Sequence, residues 1–398
     1  MPTNGYQAAV ESNDVEISFA KEVTYGVLPS VAFQKIRTTG ESFATSNERA
    51  RPAELNARGE VQAAVTQRVT AGGQLNFALS FGTYDDWLAA LLNGDWQAAV
   101  AINGIGGDIT ITAGTNKLTS TLGTKFQAIS AGQWIRLGGF TNAANNGIYR
   151  VASKASGSDL TLTPIGLPFV TETPAGTAAK VRASTLMNGV AVTTLYVQRK
   201  MAADMFFREP GTYLSAGQLS GGTGQFLNGS FTGQSKDEVS ATAEASTGAA
   251  AEAPTGAVHD SVDGFGGFCI DGALWGDDVD QFSLSLTKTG AAQTYAMGSP
   301  AAKGQVRGLL EAGGSVSMLF DSLNAYERFK AGTKGALSFI LYDDARNAYV
   351  ITLENATLQN PRVNAGGPST SVMAQFDLEG NPRAGVGGTV RIDRLPVV

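Results

Sequence analysis

Cysteine and histidine are almost missing from this chain of 398 residues, which contains one of each, Cys269 and His259. A single cysteine excludes an internal disulfide framework and suits a reducing compartment of synthesis. No Cys/His cluster has the spacing of a metal site. His259 is followed by Asp260 and Ser261, but triads are assembled in space and sequence neighbours rarely face one another. The sequence therefore predicts a protein that is not an enzyme and needs no cofactor or metal ion.

Charged residues are also scarce, at 16% of the chain against about 25% in an average soluble domain. The formal net charge of −6 argues against a basic face that grips nucleic acid. No apolar run approaches the roughly 18–20 residues needed to cross a bilayer, and the polar start is unlike a signal peptide. We expect no membrane anchor. Low charge with 43% hydrophobic residues predicts that some surface is buried against partners.

What the chain does contain is organised around residues 71–92, AGGQLNFALSFGTYDDWLAALL. Gly72-Gly73 predicts a turn at its start. Apolar and polar residues then alternate, which places the apolar side chains on one face of a strand. The alternating apolar residues are Leu75, Phe77, Leu79 and Phe81.

A short amphipathic helix is predicted directly after this strand. Thr83 and Asp86 have the spacing of a capping box, and Asn93-Gly94 supplies a stop signal. Four residues follow the i, i+3, i+4, i+7 spacing of one helical face, and we predict that they form the helix core. They are Tyr84, Trp87, Leu88 and Leu91.

The same turn, strand and helix pattern occurs again in residues 312–329, AGGSVSMLFDSLNAYERF. Asn324 takes the cap position of Thr83, and Arg328 stands where Trp87 stands in the first pattern. Residues 211–233 and 355–380 are a second matching pair. These matches predict an internal duplication of two diverged β-rich copies.

The spacing between the copies predicts an insertion in the first one. Matching positions are 241 residues apart at Ala71 and Ala312 but 144 apart at Leu214 and Leu358, so the first copy has 97 additional residues. Insertion of a small domain at a loop tip is tolerated. We therefore expect a first domain in residues 1–96 and 185–234, an inserted β domain in 97–184, a linker in 235–267, and a second domain with a C-terminal tail in 268–398.

A polar segment, residues 42–60, interrupts the first copy between two predicted strands. Loops of this length inside a compact domain are usually functional or disordered. It is either a solvated loop or an arm that docks on a neighbouring subunit, and its candidate contact residues are Arg49, Arg51, Glu54 and Arg58. In the second copy, residues 291–304 are a shorter candidate arm.

Three stretches of the chain resemble the tail tube (major tail) proteins of long-tailed bacteriophages. They are KEVTYGVLPSVAFQKIRTTGESF, the polar arm after it, and GGQLNFALSFGTYDDWLAALLNGDW. The segment GQWIRLGGFTNAANNGIYRVAS resembles the additional β domain that some of these proteins carry. The resemblance implies a mainly β fold of two tandem β-sandwiches, each with one flanking helix, plus the inserted domain.

The resemblance also implies a function and a set of partners. In such a protein, six folds close a ring around an inner β-barrel, and stacked rings form a tube that conducts DNA without binding it specifically. The arm of residues 42–60 would contact the neighbouring ring. With two folds in each chain, three chains would form a pseudo-hexameric ring. The protein would lie in the virion tail with other tail proteins, after assembly in the bacterial host cytoplasm.

Two other functions remain open from the sequence. One is a related secretion-system or contractile-tail tube protein, although such proteins usually have one compact copy of the fold. The other is a secreted or surface carbohydrate-binding β protein without catalysis, in which Trp134, Tyr149 and Trp87 would be aromatic sugar platforms.

Overall fold

The protein is mainly β, with 49% of its residues in strands, and its large sheet is curled like half a barrel. The structure is a computed structural model that describes residues 9–54, 58–276, 278–365, 367–385 and 387–398. The first five strands and the first helix come before the predicted insertion. They are β1 (Glu16–Lys21), β2 (Gln34–Ile36), β3 (Gly40–Glu41), β4 (Ala44–Ala50), β5 (Val65–Ala78) and α1 (Asp85–Leu92).

Seven strands between residues 100 and 183 form a sheet of their own. In chain order they are β6 (Val100–Asn103), β7 (Ile109–Thr112), β8 (Lys117–Ser120), β9 (Trp134–Gly138), β10 (Gly147–Ser156), β11 (Asp159–Thr163) and β12 (Lys180–Ala183). Their order in the sheet is β6-β12-β9-β10-β11-β8-β7. A separate apolar cluster that includes Ile111, Phe126 and Val151 fills this part of the chain.

The remaining strands return to the large sheet, apart from one two-stranded pairing, β21–β22. Five of them come first, β13 (Thr185–Met187), β14 (Leu195–Ala202), β15 (Met205–Gly222), β16 (Asn228–Ser235) and β17 (Val239–Ala241). The C-terminal part then contains β18 (Phe265–Ile270), β19 (Ala273–Leu274), β20 (Val279–Thr289), β21 (Ala292–Thr294), β22 (Gly304–Val306), β23 (Leu309–Leu319), α2 (Asn324–Lys330), β24 (Gly335–Tyr342), β25 (Ala348–Asn364), β26 (Met373–Asn381) and β27 (Val390–Leu395).

Two groups of six strands in the large sheet have the same antiparallel order. We call them the first strand set, β1-β14-β15-β16-β5-β4, and the second strand set, β18-β24-β25-β26-β23-β20. The core pairs match as well: Leu75 faces Phe231 in the first set, and Val316 faces Phe376 in the second. In each set the helix follows the fifth strand of this order, which is β5 or β23.

The predicted turn at Gly72-Gly73 is wrong, because both glycines lie inside strand β5. A Cβ on Gly73 would come 2.4 Å from the Cα of Phe43, and one on Gly72 would come 2.4 Å from the carbonyl oxygen of Gly233. The glycines therefore allow two neighbouring strands to approach β5 closely. The same strand position in the second set has Gly314, where a Cβ would meet the Ser283 carbonyl.

The predicted capping of α1 is also wrong. The helix begins at Asp85 and its N-cap is Tyr84, without a side-chain cap hydrogen bond. The hydroxyl of Thr83 is 2.7 Å from that of Ser80 instead. The predicted stop agrees with the structure, since Asn93 is a left-handed C-cap with φ of 48°. In α2, Asn324 is the first helical residue and Leu323 is the N-cap.

Residues 235–267 are not a free linker. The backbone of Ala251 exchanges hydrogen bonds with Phe33 and Lys35, and that of His259 bonds to Leu79 and Leu227. His259 is fully buried, and its Nδ1 lies 2.6 Å from the Tyr342 carbonyl oxygen. The high Ala and Gly content suggested flexibility, but this segment is fixed along the first strand set by its backbone.

The predicted C-terminal tail contains a central strand. β27 pairs with β25 from Leu353 to Ala348 and with β13 on its other side. Val390, Ile392 and Leu395 are buried. The alternation of apolar and charged residues indicates a strand here, but the sequence does not show that it lies between β13 and β25.

Candidate assembly surfaces

The two strand sets meet in one antiparallel seam between β15 and β20. The seam runs through seven residue pairs, from Ala216 opposite Thr287 to Gly222 opposite Gln281. In its third pair, Gln218 of β15 is opposite Ser285 of β20 on one side and opposite Ser230 of β16 on the other. The edge of β15 is therefore completed by a strand of the second set, which removes an exposed sheet edge.

Lys288, near the end of β20, binds the C-terminal end of α1. Its Nζ donates to the Ala90 carbonyl at 3.2 Å and to Asn93 Oδ1 at 3.0 Å, and it lies 4.0 Å from the centre of the Tyr213 ring. A cation is favoured at this negative end of the helix dipole. Burial opposes that effect and lowers the pKa of Lys288 to about 7.

A second contact between the sets comes from residues 290–308, which we call the second arm. It lies between β20 and β23 and contains the small β21–β22 pairing. The Val69 amide of β5 donates to the Pro300 carbonyl at 2.9 Å, and the Tyr295 hydroxyl donates to the Val69 carbonyl at 3.0 Å. The Arg68 guanidinium lies 4.6 Å from the centre of the Tyr295 ring. The second arm therefore extends the hydrogen bonding of β5 beyond the end of β16.

Strand β4 is an open edge among the described residues, since β5 is its one strand partner. All seven residues from Ala44 to Ala50 are exposed. The Ser42 amide donates to the Gln74 carbonyl at 2.9 Å, so the alternation of an antiparallel ladder turns the backbone groups of Thr45 and Asn47 away from β5. These groups are available to another strand.

The far end of β25 is a second open edge in the described structure. Gln359, Arg362 and Val363 pair with β26 on one side, whereas β24 and β27 pair with β25 up to Ala356 and Leu353. The matching stretch of β15 has β16 on one side and β20 on the other. The second strand set therefore lacks the neighbour that the first set has.

The residues predicted for the polar arm lie at and beyond the end of β4. We call residues 51–64 the first arm; residues 55–57 lie outside the described structure. Arg49 donates to the Ala64 carbonyl at 3.0 Å, and Arg51 donates to the Gln62 carbonyl at 2.9 Å. Glu54 and Arg58 are exposed. The sequence missed that residues 44–50 form a strand, because their polar composition hides the hairpin with β5.

A groove of about 600 Å³ crosses β20, β23 and β26 of the second set. Leu310, Glu311 and Gly313 line it from β23, and Glu379 and Asn381 line it from β26. Both glutamates are exposed. The groove is thus an acidic surface with an apolar floor.

A family model for phage tail tube proteins matches residues 12–380. The chain belongs to the phage tail tube protein family. No curated protein matches it in sequence. As a member of this family it is a structural protein of the phage tail, which assembles with itself and with other tail proteins.

The predicted helix core of this tail tube protein faces the large sheet. Tyr84, Trp87 and Leu91 are buried, and Leu88 is partly buried against the same cluster. The Trp87 ring packs at 5.7 Å from Phe19 and at 5.5 Å from Phe231. Trp87 is therefore held by the first strand set on one face of α1.

The three aromatic rings proposed as sugar platforms are all buried. Trp87 and Trp134 have no exposed surface, and Tyr149 is 4% exposed. The Trp134 indole donates to Thr352 Oγ1 at 3.2 Å. None of the three can stack on a sugar in this structure of the tail tube protein, which removes the residues on which the carbohydrate-binding reading was based.

A buried ionic cluster joins the seven-stranded sheet to the second strand set, and sequence reasoning missed it. Glu354 accepts from Arg391 at 2.6 Å and from Arg150 of β10 at 3.2 Å. Asp393 accepts from the Trp134 amide at 3.1 Å, and its burial raises its pKa to about 7. The cluster could not be found from sequence, because Arg150 and Glu354 are 204 residues apart.

Three further observations on the tail tube protein concern its cysteine, its possible metal ligands and its helices. Cys269 is buried, and its burial raises the pKa of the thiol to about 12. The described residues contain no group of three or more His, Cys, Asp or Glu side chains that could hold a metal ion. In the same part of the chain, no helix is long and apolar enough to span a membrane.

Proposed function

We propose that three chains form a pseudo-hexameric ring and that stacked rings form the tube through which DNA leaves the virion. The observation that carries this proposal is the seam between β15 and β20 together with the two open edges. Assembly would take place in the host cytoplasm, where no membrane anchor is needed. The DNA would pass without specific binding. The net charge of −6 agrees with this, because each contact with a phosphate would add affinity and slow the release of the DNA.

The proposal treats the two strand sets as diverged copies of one fold. Support comes from their common strand order and from the matching core pairs Leu75–Phe231 and Val316–Phe376. By this match β20 corresponds to β4, and β25 corresponds to β15. We retain residues 97–184 as an inserted domain, because their seven strands form a separate sheet with its own core.

The seam inside one chain is a template for the joint between chains. If β4 of one copy pairs with β25 of the next, the new joint repeats the β15–β20 seam and places Ala44 opposite Arg362. Ala44 is opposite Gly72, just as Ser285 is opposite Gly313, so Ala44 corresponds to Ser285. Arg362 is opposite Gln375, just as Gln218 is opposite Ser230, so Arg362 corresponds to Gln218. Each chain then contributes two folds, so a closed ring of six folds contains three chains.

Replacing Asn47 with proline tests the joint. Its N–H points away from β5, and proline is tolerated at an edge where the N–H faces solvent. Asn47→Pro should therefore leave the monomer folded and abolish rings and tubes in electron micrographs. Asn47→Ala, which keeps the N–H, should assemble normally. Native mass spectrometry of the wild type should give three chains per ring; six chains, or intact rings in Asn47→Pro, would refute the proposal.

A further inference from the structure

The second arm has a matching surface that is empty in the second strand set. In the first set this arm contacts Val69 of β5 and the end of β16, where Gln293 donates to the Ser235 carbonyl and Gln305 donates to Gln234 at 3.0 Å. The two sets are aligned by matching Leu75 with Val316 and Phe231 with Phe376. In this alignment the corresponding positions of the second set are Leu310 on β23 and Glu379 and Gly380 on β26. These residues line the groove of about 600 Å³.

The charges of the two surfaces differ at matching positions. Thr70 and Gln234 in the first set correspond to Glu311 and Glu379 in the second, both of which are exposed. At these two positions the occupied surface is uncharged and the empty groove is acidic. Opposite charge on a partner would favour association with the groove and disfavour the wrong pairing.

The first arm has the charge that this groove requires. Arg49 and Arg51 are exposed at the point where β4 runs into the first arm. Their bonds to the Ala64 and Gln62 carbonyls hold the two sides of the hairpin together. In the second arm, the residues that face β5 and β16 are uncharged: Gln293, Tyr295, Pro300 and Gln305. Each arm therefore matches the charge of one surface.

We propose that Arg49 and Arg51 of one chain, where β4 runs into the first arm, bind in the acidic groove on the second strand set of the adjacent chain in the same ring. This inference rests on the proposed ring. It names the surface of the next chain that the segment after β4 contacts. It competes with the expectation that the polar arm contacts the neighbouring ring, which stays a prediction. The second arm crosses the end of β16, and the end of β26 is the matching place in the second set. Pairing of β4 with β25 would therefore lead the first arm across the end of β26 and bring Arg51 close to Glu379.

Cross-linking between engineered cysteines tests where the first arm lies. Arg51→Cys and Glu379→Cys are combined in one chain, and assembled protein is treated with a short bismaleimide; the wild type, whose Cys269 is buried, is the control. We expect cross-linked dimers and trimers in denaturing gels and no larger species, because the contacts close within one ring of three. A ladder that continues beyond the number of chains in a ring would show contacts between rings and overturn the inference.

Charge exchange provides a second readout that does not depend on cross-linking. Arg49→Glu with Arg51→Glu should reduce assembly at least tenfold in sedimentation assays, and so should Glu311→Arg with Glu379→Arg. All four changes together should restore assembly, which a merely structural role of the arginines would not produce. Failure of the combined variant to assemble, while its circular dichroism matches the wild type, would contradict the inference.

The two proposals fail in different ways. Wild-type protein that forms no rings would refute the proposed function. Wild-type rings with three chains but without a cross-link between positions 51 and 379 would leave the proposed function standing and overturn the arm assignment alone.

Discussion

The two helices differ far more in burial than their matching places in the fold would predict. Six of the eight residues of α1 are buried, whereas Ala325 is the one buried residue of the seven in α2. Both helices pack against the third strand of their set in sheet order, β15 or β25. The difference must therefore come from what covers the other side of each helix.

The cover of α1 comes from the second strand set and from β27. Lys288 binds its C-terminal end. At its N-terminal end, Tyr349 donates to Asp85 Oδ1 at 2.5 Å, and Arg394 forms an ion pair with the same carboxylate. In a single chain α2 has no third strand set to cover it. In the proposed ring, we expect the adjacent chain to cover the exposed side of α2.

Truncation of Trp87 should cause the largest loss of stability among these changes. A small loss would contradict the difference between the two helices. Trp87 has no exposed surface, so Trp87→Ala should lower the free energy of unfolding by about 3–5 kcal/mol. The matched change in α2, Arg328→Ala, removes an ion pair with Asp271 at 3.7 Å and should cost less than about 1 kcal/mol. Thermal unfolding measures both. Equal losses would show that the two helices are equivalent in the monomer.

Loss of the Glu354 charge should have the next largest effect. Glu354 is 1% exposed and is shared by Arg150 and Arg391, so Glu354→Gln removes the carboxylate that both buried guanidinium groups bind. We expect a loss of about 3 kcal/mol, at the low end of the range for breaking a buried ion pair. Denaturant unfolding measures it. Glu379→Gln on the exposed surface is the control, and a loss as small as in that control would contradict the expectation.

The same cluster sharpens the interpretation of the seven-stranded sheet. Removal of residues 97–184 with a Gly/Ser bridge would uncover Glu354, Arg391 and the apolar patch under Trp134 and Ile148. We still expect the deletion variant to assemble, since β4 and the far end of β25 lie outside this sheet. Its melting temperature should fall. A folded deletion variant that no longer forms rings would show that the sheet takes part in ring closure.

Periodicity predicted the local elements where one face of a strand or helix is apolar. The alternation from Leu75 to Phe81 and the helical spacing of Trp87 and Leu91 required no tertiary information. The β4 strand was missed for the opposite reason. Its residues 44–50 are exposed on both faces in the monomer, so apolar and polar residues do not alternate along it. Glycine was also ambiguous, since Gly72 serves close strand packing and not a turn.

The sequence points to one of the two candidate assembly surfaces but not to the geometry of either. The arginines of the polar arm stood out by composition, whereas Glu311 and Glu379 are 68 residues apart in sequence and meet only through the pairing of β23 with β26. The buried cluster of Arg150, Glu354 and Arg391 depends in the same way on which strands become neighbours. Single-sequence patterns do not contain that information.

The smallest predicted effect concerns the lysine that covers α1. Burial lowers the pKa of Lys288 from its ordinary value of 10.5 to about 7. Between these two pH values the unfolded chain holds a proton that the folded chain has released, so the stability of the folded protein should rise with pH across this window. The slope from this group is at most about 1.4 kcal/mol per pH unit.

Lys288→Met should remove this contribution while keeping most of the apolar stem. Denaturant unfolding at pH 7, 8 and 9 gives the free energy for wild type and variant, and the difference between the two should grow with pH in favour of the wild type. Taking the difference cancels other groups that titrate nearby, such as Asp393 and Glu209, whose pKa values are raised to about 7 and about 8. Lys21→Met, at a half-exposed surface lysine, is the control and should leave the pH dependence unchanged. Parallel curves for wild type and Lys288→Met would mean that Lys288 stays protonated at the helix end, in which case the favourable dipole outweighs burial and the contact between the strand sets is an ionic one throughout this range.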